Sequence, residues 1–182
     1  MRVLATAGKI YSGLLVVALT WIYFQNRLRW AFFIPLSEES LARDLLVGLG
    51  TAVLVISLSL FASKNFLWAR LLEDEFSKVL VPLPVWEIGA LALLSGLAEE
   101  ILFRGAIQPV FGLIQTSLFF GLAHFVPRKA ILPWSASAVF VGFLLGSLFE
   151  LTHNLLAMIL AHAVINFVLI LVLNWRKTMQ PA

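Results

Sequence analysis

The chain has 182 residues, of which 61% are hydrophobic and 13% are charged, whereas about 25% of the residues are charged in a typical soluble domain. With a mean hydropathy of +0.97 and no cysteine, the composition excludes a soluble globular domain, a disordered chain and a secreted disulfide scaffold. The net charge of +3 comes from Lys and Arg residues scattered between apolar runs, a pattern typical of loops that face anionic lipid rather than of a nucleic-acid interface.

Apolar runs long enough to cross a bilayer follow one another along the chain. A membrane helix needs roughly 20 apolar residues, and four runs without Asp, Glu, Lys or Arg are close to this length: residues 10–26, 45–63, 130–149 and 154–175. No small-residue cleavage site follows the first run, so we predict a retained helix there rather than a signal peptide. The apolar stretch 88–127 is long enough for two more crossings, because each half extends over roughly 30 Å as a helix.

A reversal is predicted in the middle of this long stretch. Pro109 interrupts the hydrogen bonds of a helix, and Gly112 permits a turn. The sequence therefore predicts an all-α integral membrane protein with about six transmembrane helices in one bundle.

The connections between the spans indicate how the chain is oriented. The segment 27–44, with Trp30 and with Ser37 as a helix N-cap, is predicted to be an interfacial connection. The segment 64–78 is the longest polar connection, and its acidic run 73–75 is predicted to be a solvated face. Six spans place both termini on one side together with most of the basic residues. The positive-inside rule assigns that side to the cytoplasm, and we expect a bacterial-type cell membrane or a related internal membrane.

Three charged residues lie inside the long apolar stretch. A charge at the centre of a membrane helix costs roughly 2.5–3.5 kcal/mol on insertion scales, so each residue needs a partner. Glu100 and Arg104 are four residues apart and can pair on one helix face, whereas Glu99 lies about 100° away around the helix. Folding the hairpin about residues 111–112 brings Glu99 level with His124, about 18 Å from the apex. A carboxylate and an imidazole at one depth can hold a water between them, which is the arrangement of a general base.

The last apolar run adds two polar side chains to this set. His162 and Asn166 are four residues apart and share one helix face. If this face turns toward Glu99 and His124, two groups can activate water and two donors can stabilise a developing oxyanion. The sequence thus predicts a polar cavity inside the bundle with the groups needed to hydrolyse an amide without a serine or cysteine nucleophile.

Three motifs, in this order, resemble those of the CPBP family, the CAAX-protease and bacteriocin-processing membrane proteins. Residues 99–105, EEILFRG, resemble its EExxxR motif, residues 120–124, FGLAH, its FxxxH motif, and residues 162–166, HAVIN, its HxxxN motif. The resemblance implies an intramembrane endopeptidase related to the Ras-converting CAAX protease. Residues 1–84 would then be N-terminal transmembrane helices and loops, and residues 85–182 the catalytic helices of a single membrane domain.

The resemblance also implies partners and roles for the matched residues. The expected partners are a peptide or membrane-anchored protein substrate and the lipid bilayer, with no nucleic acid and no prosthetic group. Glu99 and His124 would activate the water. His162 and Asn166 would bind the oxyanion. The remaining matched residues, Glu100, Arg104 and Phe120, would support these groups.

The resemblance leaves two chemistries open, because the family has been described both as glutamate proteases and as metalloproteases. We favour glutamate activation with no required metal, since a carboxylate in an apolar site can become basic enough for base catalysis. If zinc is used, its ligands would be Glu99, His124 and His162, although no HExxH motif is present.

Structural explanations and other functions compete with this interpretation. Glu100 and Arg104 can be a buried pair that fixes helix packing, and the histidines can be neutral interhelical hydrogen bonders. For Glu99 a functional role is favoured, because a second carboxylate raises the free energy of membrane insertion without a structural gain. A non-catalytic scaffold or bacteriocin-immunity protein could retain the cavity. A proton or ion transporter would also use buried carboxylates and histidines, but the paired interrupted helices of transporters are missing.

Overall fold

The computed structural model describes residues 2–27 and 38–179, so the predicted roles of Trp30 and Ser37 lie outside the described residues. The described parts are helical apart from short connections and contain no strand. The elements, in chain order, are α1 (Arg2–Phe24), α2 (Glu38–Asn65), α3 (Leu67–Leu80), α4 (Val85–Glu100), a π-helical segment (Ile101–Ile107), α5 (Gln108–Ala123), α6 (Leu132–Thr152) and α7 (Leu156–Met179).

Within the described residues, five helical runs are long and apolar enough to cross a membrane, namely those in α1, α2, Val85–Ala123, α6 and α7. The third run is 39 residues long and folds back at Gly112, whose φ of 80° breaks the helix. The Phe103 and Phe120 rings, whose centroids would be about 25 Å apart along a straight helix, lie 4.9 Å apart. The reversal therefore lies where the sequence predicts it, and the five runs form six arms of one bundle.

The contacts between helices fix their directions in the bundle. The end of α1 lies beside the hairpin, since Gln25 Nε2 donates to the Ala106 carbonyl at 3.2 Å. The backbone N–H of Leu83, before α4, donates to Asn174 Oδ1 at the end of α7 at 3.0 Å. Thus α1 and α4 run in the same direction and α7 runs opposite to them. The start of α1 and the end of α7 lie at the same end of the bundle, as expected for six crossings.

Helix α3 lies at this same end, which we call the α3 end. The Phe76 ring contacts the Trp134 ring at the start of α6, with 4.9 Å between centroids. Glu73 pairs with Arg176 at 3.1 Å, and Asp74 pairs with Lys177 at 2.5 Å. The acidic run 73–75 is thus at least partly exposed, with Asp74 exposed, and two of its carboxylates also pair with the basic last turn of α7.

Two side chains one helical turn apart join the hairpin to α6. Arg104 Nη2 donates to the carbonyl of Gly142 at 2.9 Å, and Gln108 Nε2 donates to the carbonyl of Gly146 at 2.9 Å. All four residues are buried. The two bonds hold the π-helical segment and α6 parallel in one register.

A glycine on α2 allows close contact with α7. A Cβ added at Gly48 would lie 2.7 Å from the Ala157 carbonyl oxygen, whereas one added at Gly50 would meet no atom within 4 Å. We expect Gly48→Ala to lower the free energy of unfolding by about 1–3 kcal/mol, because a methyl group overpacks the contact. Gly50→Ala is the matched control and should leave stability unchanged or raise it by up to about 1 kcal/mol, because alanine favours a helix. Equal thermal midpoints for the two variants in detergent would contradict this close contact.

Candidate active site

A buried ion pair lies at the junction of α4 and the π-helical segment. Arg104 Nη1 donates to Glu100 Oε1 at 3.0 Å and lies 3.0 Å from Oε2, so the pairing expected from their spacing is present. Both side chains are 0% exposed. The Arg104 guanidinium also lies 4.8 Å from the centroid of the Phe120 ring. A buried ion pair is tolerated only when its remaining polar atoms find partners, and the Gly142 carbonyl supplies one of these.

The same Glu100 carboxylate holds a histidine from α7. His162 Nδ1 lies 2.6 Å from Glu100 Oε1, a contact that the spacing of the motifs does not predict. Because Glu100 bonds Arg104 and His162 together, it couples the hairpin to α7 and orients the imidazole ring. This arrangement is that of a buried carboxylate supporting a histidine rather than of a carboxylate that meets substrate.

Glu99 lies beside this pair and faces two imidazoles. Its Oε2 is 3.5 Å from His124 Nε2 and 4.0 Å from His162 Nε2, and the residue is 7% exposed. Both distances exceed the roughly 2.9 Å of a direct hydrogen bond. The structure thus brings together one carboxylate oxygen and two ring nitrogens from α4, from the end of α5 and from α7.

The hydrogen bonds of the two rings determine which nitrogens can act as bases. His124 Nδ1 lies 2.7 Å from the Phe120 carbonyl oxygen, which can only accept, so Nδ1 carries the hydrogen. His162 Nδ1 faces the Glu100 carboxylate and carries a hydrogen for the same reason. In the neutral rings, both Nε2 atoms therefore present lone pairs toward Glu99.

The position of His124 follows from the local chain. Helix α5 ends at Ala123, and His124 is its C-cap, with φ −93° and ψ 7°. The Ser135 hydroxyl donates to the His124 carbonyl at 3.0 Å, and the Trp134 ring contacts the imidazole edge-on at 4.9 Å between centroids. The beginning of α6 thus fixes both the backbone and the ring of His124.

Asn166 lies one helical turn away from this cluster. Its Nδ2 donates to Ser95 Oγ at 2.9 Å, and Ser95 precedes Glu99 by four residues on α4, which puts both on one helix face. A primary amide has two N–H donors, and this bond uses one of them. Asn166 therefore borders the Glu99 site while a second N–H remains for another acceptor.

Phe120 is the apolar centre around which these groups are arranged. Its ring lies 4.5 Å from the His124 ring and 6.0 Å from the His162 ring, measured between centroids. It also covers the Arg104 guanidinium. Three of the predicted site residues, His124, His162 and Arg104, thus lie around the Phe120 ring. Glu99 and Glu100 lie beside the two imidazoles, and Asn166 borders them.

Two polar residues near Glu99 were missed by the sequence analysis. Tyr11 on α1 interacts with both Glu99 and Ser95. The sequence contains no signal for Tyr11, because it lies at the start of the apolar run 10–26, where an aromatic residue normally marks the membrane interface. Ser95 could have been found from its spacing of four residues before Glu99.

The donor set of the site differs from that of a formed metal centre. Among residues 2–27 and 38–179, no group of three or more His, Cys, Asp or Glu side chains is arranged so that it could hold a metal ion. The atoms Glu99 Oε2, His124 Nε2 and His162 Nε2 converge, but they are spread over distances of 3.5 Å and 4.0 Å.

Comparison with known proteins gives two matches. Residues 81–168 match the family model of the Type II CAAX prenyl endopeptidase Rce1-like proteins, and this segment contains all three motifs, EExxxR, FxxxH and HxxxN. The chain is 37% identical over 128 residues to the uncharacterized protein YpbD of Bacillus subtilis (strain 168), a match that covers 66% of this chain and 64% of that relative. No solved structure matches.

Proposed function

We propose that the chain, whose residues 81–168 match the Rce1-like family model, is an intramembrane endopeptidase that hydrolyses a peptide bond with water activated by Glu99 and His124. The observation that carries this proposal is the position of Glu99 Oε2 between the Nε2 atoms of His124 and His162. Both rings have their Nδ1 atoms occupied by acceptors. The carboxylate oxygen of Glu99 and the lone pair of His124 Nε2, 3.5 Å apart, suit a water molecule that donates one hydrogen to each of them.

The reaction begins when this water is positioned against the scissile carbonyl carbon. Glu99 accepts one proton as the C–O bond forms, and His124 Nε2 accepts the second hydrogen bond of the water and orients it. The tetrahedral intermediate collapses when the proton held by Glu99 passes to the leaving amine nitrogen and the C–N bond breaks. The carboxylate is thereby regenerated.

The negative charge of the intermediate is stabilised by donors from α7. Asn166 supplies the N–H that its bond to Ser95 leaves free. His162 can donate from Nε2 only as an imidazolium, because its Nδ1 hydrogen is already directed at Glu100. The Glu100 carboxylate faces that ring and compensates its charge, and Arg104 in turn holds Glu100. We therefore assign Glu100, Arg104 and Phe120 the support of His162 and His124 rather than contact with substrate.

The proposed substrate is a membrane-anchored protein or peptide whose scissile bond enters the bundle between the hairpin and α7. The family description points to a prenylated carboxyl terminus. In the proposed orientation the α3 end faces the cytoplasm of a bacterial-type membrane, because basic residues are concentrated there. They include Lys64, Arg70, Lys78, Arg128, Lys129, Arg176 and Lys177.

A cleavage assay with chelators tests this function and its chemistry together. The purified protein in lipid vesicles is given a prenylated peptide and the same peptide without its lipid, and release of the carboxyl-terminal fragment is measured. We expect cleavage of the lipidated peptide, unchanged after treatment with EDTA or 1,10-phenanthroline. Loss of cleavage with both chelators and its recovery on adding Zn²⁺ would support a zinc protease instead. Cleavage of neither peptide would remove the support for a prenylated substrate.

A further inference from the structure

The first helix contributes a polar side chain that the proposed reaction does not use. The chain has two tyrosines, Tyr11 and Tyr23, and both lie on α1. Tyr23 is 62% exposed, whereas Tyr11 is half-buried against the bundle. Helix α1 lies outside the residues matched by the family model, 81–168, so the match assigns it no role.

The packing of α1 places Tyr11 level with Ser95, one helical turn before Glu99. Toward the hairpin apex, Ile22 packs against Gly105, where an added Cβ would lie 3.1 Å from Ile22 Cδ1. Toward the α3 end, Leu4 belongs to the apolar cluster around Ile88. Tyr11 lies between these two contacts on a helix parallel to α4, and the residues between Ile88 and Gly105 at this height are those around Ser95 and Glu99.

The side-chain contacts agree with this register. The Tyr11 phenol interacts with the Glu99 carboxylate and with the Ser95 hydroxyl. Toward an ionised carboxylate a phenol can act only as the donor. The Oε2 atom of Glu99 has no hydrogen-bond partner among the described groups, so neither imidazole fixes the orientation of the carboxylate. The terminal torsion of a glutamate is broad and roughly two-fold unless another group restrains it.

We propose that Tyr11 is a positioning residue for Glu99: a hydrogen bond from its phenol holds the carboxylate with Oε2 directed at His124 and His162. This inference rests on the proposed function, in which Glu99 is the base. It extends the site to a fourth helix and gives the N-terminal part of the chain a part in the reaction. A base that is held in its reactive orientation before substrate binds raises kcat without increasing the affinity for substrate.

The variant Tyr11→Phe tests this by removing the hydroxyl and nothing else. We expect kcat to fall about ten- to a hundredfold with KM unchanged, because the lost contact acts on the base and not on the substrate. Tyr23→Phe, on the exposed face of the same helix, is the matched control and should keep wild-type kcat. In a Glu99→Asp background, whose carboxylate is one methylene shorter and no longer meets the phenol in the same way, Tyr11→Phe should have no further effect.

Several results would overturn the inference. One is a wild-type kcat in Tyr11→Phe, and another is a raised KM in place of a lowered kcat. A third is that Tyr11→Phe lowers kcat in the Glu99→Asp background by the same factor as in the wild type. A double-mutant cycle on thermal unfolding, with Tyr11→Phe, Glu99→Gln and the double variant, measures the contact without any reaction. Zero coupling there would overturn the inference whether or not a substrate is cleaved. Coupling together with unchanged kcat would reduce the bond to a structural one. A Glu99→Gln variant that still cleaves would overturn the function itself.

Discussion

Replacing Glu99 by Gln is expected to abolish cleavage while leaving the bundle folded. The amide has nearly the shape of the carboxylate but cannot accept the proton of the attacking water. Loss of a general base lowers kcat by about 10²- to 10⁴-fold. Folding should be preserved, because Glu99 Oε2 makes no direct hydrogen bond to a described group and the variant removes a charge from the membrane interior.

The Glu99→Gln variant is compared with a control variant of a carboxylate outside the site, and its effect is also measured in cells. Glu39→Gln, at an exposed position at the start of α2, serves as the control and should retain wild-type cleavage. Membrane proteomics of cells with wild-type or Glu99→Gln protein should reveal uncleaved substrate only in the latter. If cells with Glu99→Gln matched the wild type while deletion had a phenotype, the protein would be a non-catalytic scaffold. Glu99-dependent proton flux in vesicles would indicate a transporter.

Arg104→Met is expected to destabilise the bundle more than Gly48→Ala or Glu99→Gln does. Methionine fills similar space but leaves Glu100 with an uncompensated charge in an interior where both partners are fully buried. Breaking such a pair costs about 3–5 kcal/mol. The bond to the Gly142 carbonyl and the contact with the Phe120 ring are lost as well. The measurement is unfolding in mixed detergent, followed through the tryptophan fluorescence of the bundle.

Two variants distinguish this effect from a general sensitivity to arginine loss. The Arg128 side chain is 71% exposed and lies 3.8 Å from Glu75. Arg128→Met removes this surface pair and should change the free energy of unfolding by at most about 1 kcal/mol. The double variant Arg104→Met with Glu100→Gln removes both buried charges and should recover much of the lost stability. A loss of equal size in Arg104→Met and Arg128→Met would contradict the proposed importance of burial.

The membrane fold was largely predictable, because the thickness of the bilayer sets the length of each apolar run. The spans, the reversal near Gly112 and the level pairing of Glu99 with His124 all follow from helical rise and from the residues that break a helix. The widening of the helix into a π-helical segment at Ile101–Ile107 did not follow, because a π turn depends on tertiary packing that no local pattern records. Such segments are frequent at functional sites.

The candidate site was predictable in its members but not in its connections. Spacing within a helix paired Glu100 with Arg104, since residues four apart share a face. It could not reveal that Glu100 also holds His162, because α7 can rotate about its own axis without changing its hydropathy. For the same reason the partnership of Asn166 with Ser95 and the approach of Tyr11 required the packed bundle. The pairing of Glu73 and Asp74 with α7 could not be predicted, because their basic partners lie about a hundred residues further along the chain.

The two parallel bonds from the hairpin to α6 have a consequence for how the chain can vary in length. Arg104 and Gln108 reach carbonyls that are themselves four residues apart, so inserting one residue between Gly142 and Gly146 would leave at most one of the two bonds aligned. An insertion between α5 and α6, in residues 125–131, leaves the spacing within each helix intact and is absorbed by irregular backbone. Natural insertions and deletions, and engineered tags, should therefore be tolerated in that connection and excluded from the neighbouring helical turns.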